Sequence, residues 1–192
     1  MALSLLIGLG LMATVTPPVA GTAPPPPPPP ACTASEHRQF DFWVGDWVVK
    51  HPETGAEQGR NTITRESGGC ALHEHWRGGR GFEGHSLNAY DRQRGHWMQV
   101  WVGADGTVLR LEGGLKEGAM VLEGEQPRAG GGIQRQRIRW TPAADGSVSQ
   151  HWQVSDDDGA SWSTSFLGIY RRVGGAQDSG EPASGDGDGS AP

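Results

Sequence analysis

Residues 36–173 carry no apolar pattern at helical spacing. They carry short segments of alternating apolar and polar residues, separated by turns rich in glycine and aspartate. In order these are 47–51 WVVKH, 59–67 GRNTITRES, 71–78 ALHEHWRG, 82–91 FEGHSLNAYD and 96–102 HWMQVWV. There follow 107–115 TVLRLEGGL, 119–126 AMVLEGEQ, 133–141 IQRQRIRWT, 147–155 SVSQHWQVS and 161–171 SWSTSFLGIYR. The linkers GADG, KEG, PAADG and DDDG supply residues that tolerate positive φ, as hairpin turns require. Many short strands at even spacing predict a sheet closed on itself, which removes open edges. The expected fold is all-β, an antiparallel up-and-down β-barrel of about ten strands. The stretch 36–44, EHRQFDFWV, predicts a short N-terminal helical plug before the first strand.

The flanks differ in composition from this middle. Residues 1–35 and 174–192 contain no lysine or arginine, so all 16 basic residues lie between them, against 18 acidic ones. A middle so near neutrality has no basic stripe to meet phosphate backbones, and nucleic acid is not an expected partner. The apolar run in 1–23 has signal-peptide length and ends in small residues, although it lacks a positive start; it reads as a signal peptide or a retained N-terminal anchor. Residues 24–35 are a proline-rich linker, stiff in the polyproline II form. The Gly/Asp/Ser-rich tail at 174–192 has too little apolar surface to fold and is expected to be disordered. The remainder, 36–173, is one barrel domain, expected to be periplasmic or secreted. In an oxidising compartment Cys32 and Cys70 would pair and clip the linker to the barrel; in a reducing one they would be free thiols.

Alternate barrel residues face in and out. In 71–78 one phase is Leu72, Glu74 and Trp76, and the other Ala71, His73, His75 and Arg77. The second is basic and hydrated, so it faces outward, and Glu74 points in between a leucine and a tryptophan. Segment 147–155 turns Val148, Gln150, Trp152 and Val154 inward. Segments 82–91 and 96–102 allow either face, because both phases are partly apolar. With the aromatic phase inward throughout, Trp76, Tyr90, Trp97, Trp101, Trp140 and Trp152 wall the interior, and Glu74, Asn88, Gln99, Gln136 and Gln150 project among them. Aromatic walls with a few convergent polar groups describe a small-molecule pocket. The alternative is that these polar groups satisfy one another, or face solvent on the opposite phase.

Two features bear on metals. His73 and His75 share an outward face with His85 of the next segment, but no carboxylate or cysteine is indicated to complete a set, so no metal site is assigned. The stretch 155–162, SDDDGASW, resembles the Asp-box turn that recurs in sialidases; it occurs once here and lacks the further ligands of a calcium loop.

Gly45-Asp46-Trp47 at the head of the first strand and Tyr170-Arg171-Arg172 at the end of the last resemble the calycin arrangement of lipocalins, fatty-acid-binding proteins and avidin. That resemblance implies that Trp47 closes one barrel end beneath a basic side chain, Arg171 or Arg172. The longer run FDFWVGDW, ITRESGGCALHEHW, SLNAYD, LEGGL and FLGIYRR is similar to a family of exported bacterial lipocalin-like domains whose activity is uncharacterised. More remotely, the chain resembles the haem-binding nitrobindins. The leading expectation is a binding module for a small, partly polar ligand, with no cofactor. An enzyme using Glu74 as general acid or base is the alternative, weakened because no second carboxylate points inward. Haem binding needs an axial ligand, and His151 has the outward phase; a scaffold without ligand is the last reading.

Overall fold

The computed structural model of the protein describes residues 32–174. The readings made for 1–23, for the proline run and for the tail from 175 onward lie outside these residues. Ten strands form, each within two residues of its expected bounds: β1 (Gly45–Lys50), β2 (Glu57–Glu66), β3 (Ala71–Gly78), β4 (Glu83–Asp91), β5 (His96–Gly103), β6 (Val108–Lys116), β7 (Ala119–Pro127), β8 (Ile133–Pro142), β9 (Val148–Ser155) and β10 (Ser163–Arg172). Each pairs antiparallel with its sequence neighbour, and β1 pairs with β10, closing the barrel. No helix among the described residues is long and apolar enough to cross a membrane.

The expected helical turn is realised as two 3-10 turns, Ser35–Arg38 and Asp41–Trp43. They plug the end where β1 begins. Phe40 and Trp43 are fully buried, stacked on each other with ring centroids 4.8 Å apart, and Phe40 meets Trp97 and Trp140 edge-on. The plug is tied to the wall by polar contacts: Arg65 pairs with Asp41 at 2.5 Å, and Arg38 donates to the Gly69 carbonyl. The disulfide Cys32–Cys70 joins the plug's leading end to the β2–β3 connection across a sequence separation of 38.

Trp47 is fully buried at the same end, and its indole N–H donates to the Trp43 carbonyl at 2.9 Å. The choice between the two arginines is decided by the strand's pleat. Arg172 shares the inward phase of Tyr170, lies 4.4 Å over the Trp47 ring and donates to the Val44 carbonyl at 3.0 Å. Arg171 faces outward, 3.6 Å from Asp145.

Candidate functional site

The two open phases resolve in favour of the aromatic side. Ser86, Asn88, Trp97 and Gln99 are buried, whereas Leu87 on the opposite phase of β4 is 49% exposed. With the plug filling one end, the interior beyond it forms a cavity of about 280 Å³ that opens toward the other end. The β3–β4 and β5–β6 connections lie at that mouth and contribute Phe82, Asp105 and Thr107. Trp76, Trp101, Trp152 and Phe166 form the wall, with Phe166 edge-on to Trp76 at 5.8 Å. Glu74, Gln99, Trp140, Gln150 and Tyr170 lie deeper, and Trp140 also touches the plug.

Flat indoles need room in a crowded barrel, and the sequence supplies it with glycine on adjacent strands. Gly84 pairs with Trp76 on β3 and with Gly103 on β5; a Cβ there would come within 2.2 Å of the Trp101 ring. Gly59 makes the same allowance for Trp76.

Glu74 is buried, 5% exposed, and both carboxyl oxygens accept hydrogen bonds: Oε1 from Asn61 Nδ2 at 2.7 Å and Oε2 from the Ser86 hydroxyl at 2.6 Å. Behind Ser86 the bonds run in one direction. Gln99 Nε2 donates to Asn88 Oδ1 at 2.7 Å, and Asn88 Nδ2 donates to Ser86 Oγ at 2.8 Å. No cation reaches the carboxyl group in this set of contacts. Burial therefore outweighs the two hydrogen bonds and pushes its pKa up to about 7. Tyr170, beside it, donates to Gln150 Oε1; burial and then the Glu74 charge push its phenol well above the ordinary value. Trp140 lines the cavity, while its own indole N–H is fully buried without a hydrogen-bond partner. A buried donor left unpaired costs about 1–3 kcal/mol.

Of the residues expected to bind, Glu74, Trp76, Gln99, Trp101, Gln150 and Trp152 line the cavity. Four others point inward but do not reach it. Trp97 donates to the Glu36 carbonyl and packs on Phe40, and Tyr90 packs on His37, so both belong to the plug. Asn88 stands behind Ser86, and Gln136 accepts the Trp152 indole N–H at 2.8 Å. Asn61, Tyr170, Phe166 and the mouth residues were not anticipated; Asn61 shares the inward phase of Ile63, which was the available signal.

The only lining group of the kind that ligates haem iron is the Tyr170 phenol, which is hydrogen-bonded to Gln150. The cavity lining offers no imidazole, thiolate or thioether, and His151 contacts Thr164 on the outer face. The Asp-box stretch is also self-satisfied. Asp157 accepts from Ser155, from the Ser161 amide at 2.8 Å and from the Ser161 hydroxyl at 2.5 Å, and these bonds hold its carboxyl down at about 2.

Fold and cavity together define a closed, plugged, ten-stranded up-and-down barrel with an aromatic-walled interior, compatible with the calycin and lipocalin-like class. Among known proteins, no family model matches the chain and no curated protein shows significant similarity to it.

Proposed function

We propose that the barrel binds a small, flat, partly polar molecule between its tryptophans, with the Glu74 carboxyl as the polar anchor. The observation that carries this is a carboxyl group without a cation partner at the base of an aromatic cavity. A volume of 280 Å³ is at the lower limit of ligand pockets, which run roughly 300–1,000 Å³, so the ligand is a one- or two-ring molecule. Its polar edge meets Glu74, Gln99 and Gln150. The domain works outside the cytoplasm, in the periplasm or secreted, which the Cys32–Cys70 disulfide supports.

One observation favours a second reading. A carboxyl with pKa about 7 is poised to give or take a proton near neutrality, as a general acid or base must. Native mass spectrometry of untagged protein purified from its own host tests both. Binding predicts one retained small molecule, lost from Glu74→Gln and Trp101→Ala; catalysis predicts that Glu74→Gln retains it unchanged. Protein that carries nothing, alongside variants that behave identically, counts against both readings.

A further inference from the structure

On the other side of the wall, β3 and β4 turn a second cluster outward. His75 and His85 are directly paired across the two strands. His73 lies two residues back along β3 on the same face, and Glu83 two residues before His85 along β4. The three rings stack: His75 on His85 at 4.2 Å and 20°, His73 on His85 at 5.2 Å and 17°. His85 Nδ1 lies 3.2 Å from His73 Nε2, and His75 Nε2 lies 3.2 Å from Glu83 Oε2. One donor atom from each of His75, Glu83 and His85 falls within 4.8 Å of the others.

We propose that this outer face of β3 and β4 is a binding site for a divalent transition-metal ion of the zinc class, ligated by His75, His85 and Glu83, with His73 as the fourth ligand. Zinc bonds of about 2.0–2.2 Å to nitrogen and oxygen place tetrahedral neighbours about 3.3–3.6 Å apart. Two of the contacts already have nearly that spacing, so side-chain rotation on paired, rigid strands completes the set. A mixed imidazole and carboxylate set suits zinc, nickel and copper better than magnesium or calcium, which prefer oxygen alone.

The protonation chemistry agrees with the geometry. Only one hydrogen fits between His85 Nδ1 and His73 Nε2, 3.2 Å apart. The residues paired with the cluster on the flanking strands are Thr62 and Thr64 on β2 and Val102 on β5, none of them charged. Arg77 is the competitor. It lies 2.8 Å from His75 Nδ1 and also donates to Thr62 Oγ1. A guanidinium only donates, so it fixes the His75 hydrogen on Nε2, facing Glu83. Ligation through Nε2 moves that hydrogen to Nδ1 and releases Arg77.

The test uses the full chain without a polyhistidine tag, stripped with chelator, titrated with zinc chloride by calorimetry and with cobalt(II) by visible absorption. One ion per chain is expected, with tetrahedral cobalt bands. His85→Ala should weaken binding by about 100-fold and Glu83→Gln by about 10-fold, while Arg77→Gln should tighten it. His151→Ala, on the outer face of β9, should leave affinity unchanged. His85 is exposed, so its variant should keep the wild-type circular dichroism, and a loss of binding then reports ligation. Absence of 1:1 zinc binding in the wild type, or binding indifferent to His85→Ala and Glu83→Gln, overturns the proposal.

Discussion

Replacing Glu74 by glutamine isolates the cost of a buried carboxylate. The glutamine amide stands where the protonated acid would: one N–H meets Ser86 Oγ, and the oxygen still accepts from Asn61 Nδ2. The wild-type carboxyl is raised from 4.5 to about 7 in the folded barrel. At about 1.4 kcal/mol per tenfold, this corresponds to about 3 kcal/mol. The sign follows from proton counting. Between pH 4.5 and about 7 the folded protein keeps a proton that the unfolded chain has released, so stability falls as pH rises through this window. Below 4.5 nothing is lost, and above about 7 the whole amount is gone. Other carboxylates titrate too, so the informative quantity is the difference between wild type and variant. Urea unfolding followed by tryptophan fluorescence, with chelator present to keep the outer histidines metal-free, gives it at each pH. The difference should move by about 3 kcal/mol in favour of Glu74→Gln between acidic and alkaline buffer. A difference that stays constant across the window would refute the reasoning, because a constant offset reports repacking and not ionisation.

Trp47→Ala should cost about 3–5 kcal/mol in thermal or urea unfolding, because it empties the fully buried position beneath the closing arginine. Arg172→Ala should cost about 0.5–1 kcal/mol and Arg171→Ala almost nothing; equal losses from the two would contradict the stacking. Reducing Cys32–Cys70, which closes a loop of 38 residues, should remove about 3–4 kcal/mol of chain-entropy stabilisation, and unreduced protein unfolded in denaturant should show no titratable thiol. Gly84→Ala should displace the Trp101 ring, shifting its fluorescence and costing about 1–3 kcal/mol; an unchanged spectrum would mean that the ring does not lie over the glycine.

The barrel was legible because period-two alternation and turn chemistry are local signals, and most of the ten strands carried them. Alternation also told which way Glu74 points, since Leu72 and Trp76 leave its face no choice. It says nothing of height along the barrel axis. Trp97 and Trp101 share one face of β5, yet one packs on the plug and the other walls the cavity. Height depends on strand tilt and register, which are properties of the assembled sheet. Asp105 reaches the cavity from a connection, where no pleat exists to be read, and Phe82 and Thr107 stand at the very start of the segments expected at 82–91 and 107–115, one residue before β4 and β6 begin. Phe166 follows a register shift between β9 and β10 after Thr164, and a bulge there obscures the phase. Glu83 was readable in principle, since it stands two residues from His85 on the same outward phase.

Closure of β1 against β10 also fixes when folding can finish. Strands that pair only with sequence neighbours can zip as hairpins while synthesis proceeds. The seam cannot, because its two halves are the first and last strands of the domain. Until Arg172 has emerged, Trp47 has no lid and β1 offers an unpaired edge. A nascent chain interrupted anywhere before β10 is therefore an open, adhesive sheet.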